Sequence, residues 1–196
     1  MTANFYRAAR MAYKTLLSLS IAAFPIDPLM ILSYCNNTAV HTYREIMGMC
    51  GKTNRIAFRL DFMEGKEAIT IQRNFGNRIG YELFYDDLIY SLRRRFTLAH
   101  ELGHVILKHH MEEAFEELEA DYYAAQLLVP HPIVEALNNA GVQINPEFIS
   151  STFEVSKAAA RMAMMPPKHS RNDELYAQLQ HQFETFINEQ AMSIAI

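Results

Sequence analysis

Two histidines and a glutamate stand together in the run His100-Glu101-Leu102-Gly103-His104. Residues i and i+4 of an α-helix share one face, a turn apart, so both imidazoles can reach a single metal ion. The glutamate beside the first histidine projects toward the same open position without having to coordinate. There it can take a proton from a metal-bound water. The spacing predicts a metal site with hydrolytic chemistry, in which His100 and His104 are ligands and Glu101 is the general base.

A hydrolytic zinc site takes three protein ligands and keeps the fourth position for water. Thirteen residues beyond His104 the chain reads Glu117-Leu118-Glu119-Ala120-Asp121, in a segment whose Phe115, Tyr122, Leu127 and Leu128 dock it into a core. Glu117 and Asp121 are again i and i+4. One carboxylate to coordinate and a second, a turn later, to orient a histidine N–H is what such a site needs. Glu119 is the rival ligand. It lies about 200° round the helix from Glu117, so only one of the two shares the metal face. Glu112, Glu113 and Glu116 read as a solvated helix face.

The elements that must carry these residues follow from periodicity. Ser91 to His110 reads as one long helix and Glu112 to Val129 as another, closed by Pro130. Around residues 137–141 Asn138, Asn139 and Gly141 end a further helix, and Ser156 is a fair N-cap for KAAARMAMM, which Pro166 and Pro167 terminate. Upstream, Phe5, Ala8, Ala12, Leu16 and Leu19 recur at helical steps, and Pro28 sits near the first turn of a second short helix. Residues 37–54 are turn-rich, with one or two helical turns at YREIMGM. RIAFRLDF and AITIQRNF then alternate apolar and polar residues, and YELFYDD makes a possible third strand. The expected fold class is α+β, mainly helical, with a small antiparallel three-stranded sheet. One domain is expected over residues 1–168, with its site helices at about 91–129 and a helical subdomain at about 131–166. A C-terminal helical tail follows over 169–196.

The chain has 196 residues, half of them apolar, and a net charge of −4. It therefore has enough apolar surface for a core and is not intrinsically disordered. The acidic balance argues against a protein built to grip phosphate backbones. Cys35 and Cys50 are the only cysteines and form no zinc-ribbon pattern, which points to a reducing compartment. The apolar stretch TLLSLSIAAF follows Arg7, Arg10 and Lys14 as a signal peptide would. Two serines interrupt it, however, and it is far shorter than the ~20 residues of a membrane span. A buried amphipathic helix is expected there, and no membrane association.

RFTLAHELGHVILKHH followed by ELEADYYAAQLLVP resembles the ImmA/IrrE family of metallo-endopeptidases of bacteria and their mobile elements. The weaker stretches FPIDPLMILS and FEVSKAAARM are similar to that family's early helix and late segment. The resemblance runs over roughly residues 24–165. It implies a zincin-like fold, Zn2+ as cofactor, His100, His104 and Glu117 as ligands, Glu101 as base and Asp121 as a residue behind the ligands. It also implies a cytoplasmic endopeptidase acting on a protein substrate, a helix-turn-helix repressor of a phage, mobile element or stress response. Tyr123, Val129 and Met162 replace the usual Phe, Met and Leu, which are packing exchanges.

The donor that steadies the oxyanion of peptide hydrolysis has five candidates: Tyr122, Tyr123, His109, His110 and His131, with Tyr123 and His131 put forward first. For His109 and His110 the default role is to cap the end of the long helix. FEVSKAAARMAMM also looks like the second half of a helix-turn-helix, but Lys157 and Arg161 are its only base-reading side chains, so direct nucleic-acid binding is not expected. Two other classes stay in view: a non-catalytic regulator with a structural metal, and a DNA-binding regulator. The intact Glu101 argues against the first and the charge balance against the second.

Overall fold

Asn4 accepts a hydrogen bond from the Arg7 backbone and starts helix α1 (Phe5–Ser18), whose Ala8, Ala12, Tyr13 and Leu16 are buried along one face. In this computed structural model residues 2–50, 65–76, 78–110, 113–168 and 170–193 are described. Asp27 caps α2 (Pro28–Ser33), with Pro28 in its first turn, where a missing N–H costs nothing. Strand β1 (Thr38–Thr42) leads into α3 (Tyr43–Cys50). Strands β2 (Ala68–Phe75) and β3 (Arg78–Tyr85) form a hairpin, with Gly76 at a positive φ of 63° in its turn.

The sheet order is β1-β3-β2, with β2 antiparallel and β1 parallel to β3. The expected all-antiparallel sheet is thus corrected to a mixed one. The third described strand is TAVHT, inside the region read as turns; RIAFRLDF lies outside the described residues. A parallel partner needs a long crossover. Thr38 therefore pairs with Tyr81, far along the chain, and local alternation carries no trace of that pairing.

The rest is helical: α4 (Ser91–Leu107), α5 (Ala114–Leu128), α6 (His131–Asn139), α7 (Pro146–Thr152), α8 (Lys157–Ala163), α9 (Asp173–Gln182) and α10 (Glu184–Met192). Helices α1, α4 and α5 pack together, and β2 lies against α4. Gly103 sets the α4–α5 spacing. A Cβ there would stand 3.1 Å from Tyr123 Cδ1 and 3.2 Å from the Ala120 backbone. The tail helices close the other side. Phe24 lies among Phe153, Phe183 and Phe186, with ring centroids at 4.5–5.0 Å. Gln182 there donates to the carbonyls of Leu16 and Ile21. No helix among the described residues is long and apolar enough to cross a membrane.

Candidate metal centre

Helix α4 presents His100 and His104 one turn apart, and Gly103 lets α5 approach closely enough for Glu117 to meet them. His100 Nε2 is 2.9 Å from His104 Nε2, and the two Glu117 oxygens are 3.3 Å from His100 Nε2 and 3.4 Å from His104 Nε2. Zinc held at about 2.0–2.1 Å in tetrahedral geometry keeps its ligand atoms about 3.3 Å apart. The three side chains fit that requirement. They are the one group of three His, Cys, Asp or Glu residues among the described residues whose ligand atoms converge in this way. Glu117 sits in the first turn of α5, where a carboxylate is also favoured by the helix dipole.

Asp121, one turn further along α5, reaches behind His100, with Oδ1 2.8 Å from Nδ1. An ionised carboxylate only accepts, so His100 Nδ1 carries the proton and its Nε2 lone pair faces Glu117 and His104. Glu119 points the other way. It accepts from the Asn4 backbone at 2.8 Å and from Arg7 Nη1 at 3.1 Å, and it faces His109 Nε2 at 3.3 Å.

Glu101 is buried on the cleft side of α4. Burial pushes its carboxyl above the ordinary value, and the Thr70 hydroxyl on β2 draws it partly back. Thr70 Oγ1 is itself buried with no partner at full hydrogen-bond geometry. Burial, followed by the neighbouring charges of His100 and His109, pulls His104 down to about 3. Burial also pulls on His100. There, however, the Asp121 hydrogen bond and the carboxylates of Glu101, Asp121 and Glu117 outweigh it, and the net shift is upward. His104 is thus held neutral, while His100 sits in the negative field of Asp121, Glu101 and Glu117.

Other expected residues are placed elsewhere. Tyr123 is fully buried with its hydroxyl 3.0 Å from Thr15 Oγ1, and His131 Nδ1 is 3.3 Å from the Tyr176 hydroxyl. Neither lines the cleft, and nor does Tyr122, whose hydroxyl accepts from the Lys168 backbone. His109 and His110 do line it, but not as continuations of α4. The helix stops at Leu107 because Lys108 turns left-handed at φ 56°. Glu116, expected in solvent, is buried, and its Oε1 accepts from the His110 backbone. Thr70, Arg7 and Asn4 gave no signal in the sequence, because each meets the site across long stretches of chain.

The helix pair α7–α8, which looked like part of a helix-turn-helix, forms a wall of the same cleft through Val155, Ser156 and Ala159. Its turn residue Glu154 has a φ of 49° and is gripped by Arg95 of α4, through its carbonyl at 3.0 Å and its carboxylate at 2.9 Å. The cleft holds about 1290 Å³. The model of a peptidase family described as IrrE N-terminal-like domain matches residues 59–165, which include β2, β3, α4 and α5. No curated protein and no solved structure matches the chain.

Proposed function

The chain belongs to the peptidase family of IrrE N-terminal-like domains, and from that premise we propose that it is a zinc-dependent endopeptidase cleaving a regulatory protein. The observation that carries this is the meeting of His100 Nε2, His104 Nε2 and the Glu117 carboxylate, with buried Glu101 beside them. Three ligands suit a catalytic zinc, since structural sites use four. The cleft exceeds the 300–1000 Å³ usual for small-molecule pockets, which supports a polypeptide substrate.

Zinc bound there supplies Lewis acidity, polarising the scissile carbonyl and bringing the pKa of water toward about 7. Glu101 takes the proton of the attacking water and passes it to the departing amine. Its raised pKa makes it a stronger base toward that water, and a pKa shifted toward the working pH lets one group both take and return the proton. Asp121 keeps His100 in the tautomer that offers Nε2. Of the five candidate oxyanion donors, the role falls to His110, which lines the cleft without facing His104.

The resemblance supplies the finer substrate class, a helix-turn-helix repressor in the cytoplasm. The test is zinc content per chain together with cleavage of such a repressor by wild type and by the Glu101→Gln variant. Stoichiometric zinc with wild-type-only cleavage supports the proposal, and equal cleavage by both proteins sinks it.

A further inference from the structure

His104 has its own support, separate from the Asp121–His100 pair. Its Nδ1, on the far side of the ring from Glu117, lies 3.1 Å from His109 Nδ1, and His109 Nε2 lies 3.3 Å from Glu119 Oε2. A carboxylate only accepts hydrogen bonds, so His109 Nε2 carries a proton. Neutral His109 then has a lone pair on Nδ1, and the hydrogen atom between the two rings belongs to His104 Nδ1. This leaves the lone pair of His104 on Nε2, the atom that meets His100 and Glu117.

Glu119 is fixed in turn by α1. The Asn4 backbone donates to one of its oxygens and the Arg7 guanidinium to the other, while Arg7 also donates to the Leu107 carbonyl at the end of α4. The left-handed Lys108 turns the chain so that His109 drops back beneath His104 instead of continuing the helix. His109 and Glu119 are both buried, with side chains 4% exposed, so water offers no competing partner for either bond.

We propose that His109 and Glu119 are positioning residues of the metal centre, a relay that locks the tautomer and rotation of His104 and is braced by Arg7 of α1. The relay rests on the proposed zinc site, and it brings into that site a helix that lies outside the matched segment. Losing a partner of this kind costs metal sites about 10- to 100-fold in affinity.

Zinc affinity of the purified full chain, measured by competition with a chromophoric chelator, tests the relay without reference to turnover. His109→Leu fills the space but cannot accept from His104, and should bind zinc about 10- to 100-fold more weakly than wild type. His109→Asn puts an amide oxygen where Nδ1 stood and should recover most of the loss, a rescue that a space-filling role would not give. Thermal unfolding of the metal-free proteins separates this effect from misfolding. If His109→Leu fails to fold, Glu119→Gln takes its place, with about a tenfold loss expected. Wild-type affinity in the folded variant, or equal weakness of the Leu and Asn variants, overturns the relay. His104→Ala is the separate control: zinc lost there with His109→Leu unaffected leaves the metal site standing without its relay. Full zinc binding by His104→Ala overturns the metal site itself.

Discussion

Asp121 Oδ1 stands 2.8 Å from His100 Nδ1 although more than half of the Asp121 side chain is open to solvent. The pair is therefore reachable by water, yet it joins the two site helices at the ring that also faces Glu117. Replacing Asp121 by Ala should weaken zinc binding or turnover about 10- to 100-fold, and Asn, whose amide oxygen still accepts, should do less harm. The control is Glu113→Ala, an exposed carboxylate at the start of the same helix. Glu116 is unsuitable, since it is buried against the His110 backbone. Equal zinc titrations for Asp121→Ala and Glu113→Ala would make the Asp121 pair incidental.

The purified chain should carry close to one zinc. His100→Ala or His104→Ala should lose it, and Glu117→Gln should bind more weakly because a neutral amide is a poorer ligand. Metal analysis after exhaustive dialysis checks this, and a second equivalent of tightly held zinc would point to another site.

Glu101→Gln should fold, retain zinc and lose about 10²- to 10⁴-fold in cleavage rate, the usual contribution of a positioned acid–base group. The comparison needs matched zinc content, so that lost metal is not taken for lost proton transfer.

Glu101 must be ionised to accept a proton, so cleavage should fall as the pH drops through its pKa. Burial has raised that pKa above the ordinary 4.5, and the acid limb of kcat/KM should lie above that value as well. The Thr70 hydroxyl works in the opposite direction. Thr70→Val removes it, raises the Glu101 pKa further and moves the acid limb to higher pH. A pH–rate profile that does not move would show that Thr70 leaves Glu101 alone.

Gly103→Ala should gain up to about 1 kcal/mol in helix propensity. It must then fit a methyl group 3.1–3.2 Å from a fully buried tyrosine ring and the backbone of α5. Overpacking of that kind costs about 1–3 kcal/mol. A net loss of stability is expected in urea titrations, accompanied by weaker zinc binding as Glu117 is pushed from the histidines.

What the sequence disclosed was what local spacing encodes. The i, i+4 pairs His100/His104 and Glu117/Asp121 are geometric properties of a helix and survive any packing. The 200° between Glu117 and Glu119 likewise separates the oxygen near the histidines from the one turned toward α1. What stayed hidden depends on chain that returns from a distance. Strand β1 pairs with β3 across about forty residues, and Arg7 meets Glu119 across 112. The end of α4 is hidden for a different reason. Lys108 takes a left-handed conformation usually given to Gly or Asn, so no residue type announced the stop. Glu116 leaves the solvent for the same reason, since the turn after that stop brings the His110 N–H over it.

The grip of Asn4 and Arg7 on Glu119 bears on how this protein can be cut and recombined. Residues 59–165 carry His100, Glu101, His104 and Glu117, and a fragment trimmed to them would look self-sufficient. It would lack α1, and with it the Asn4 and Arg7 donors to Glu119 and the cover over the Tyr123 hydroxyl. A chimera that exchanges the matched segment between relatives must therefore transplant the N-terminal helix as well, because α1 and α5 are two halves of one joint.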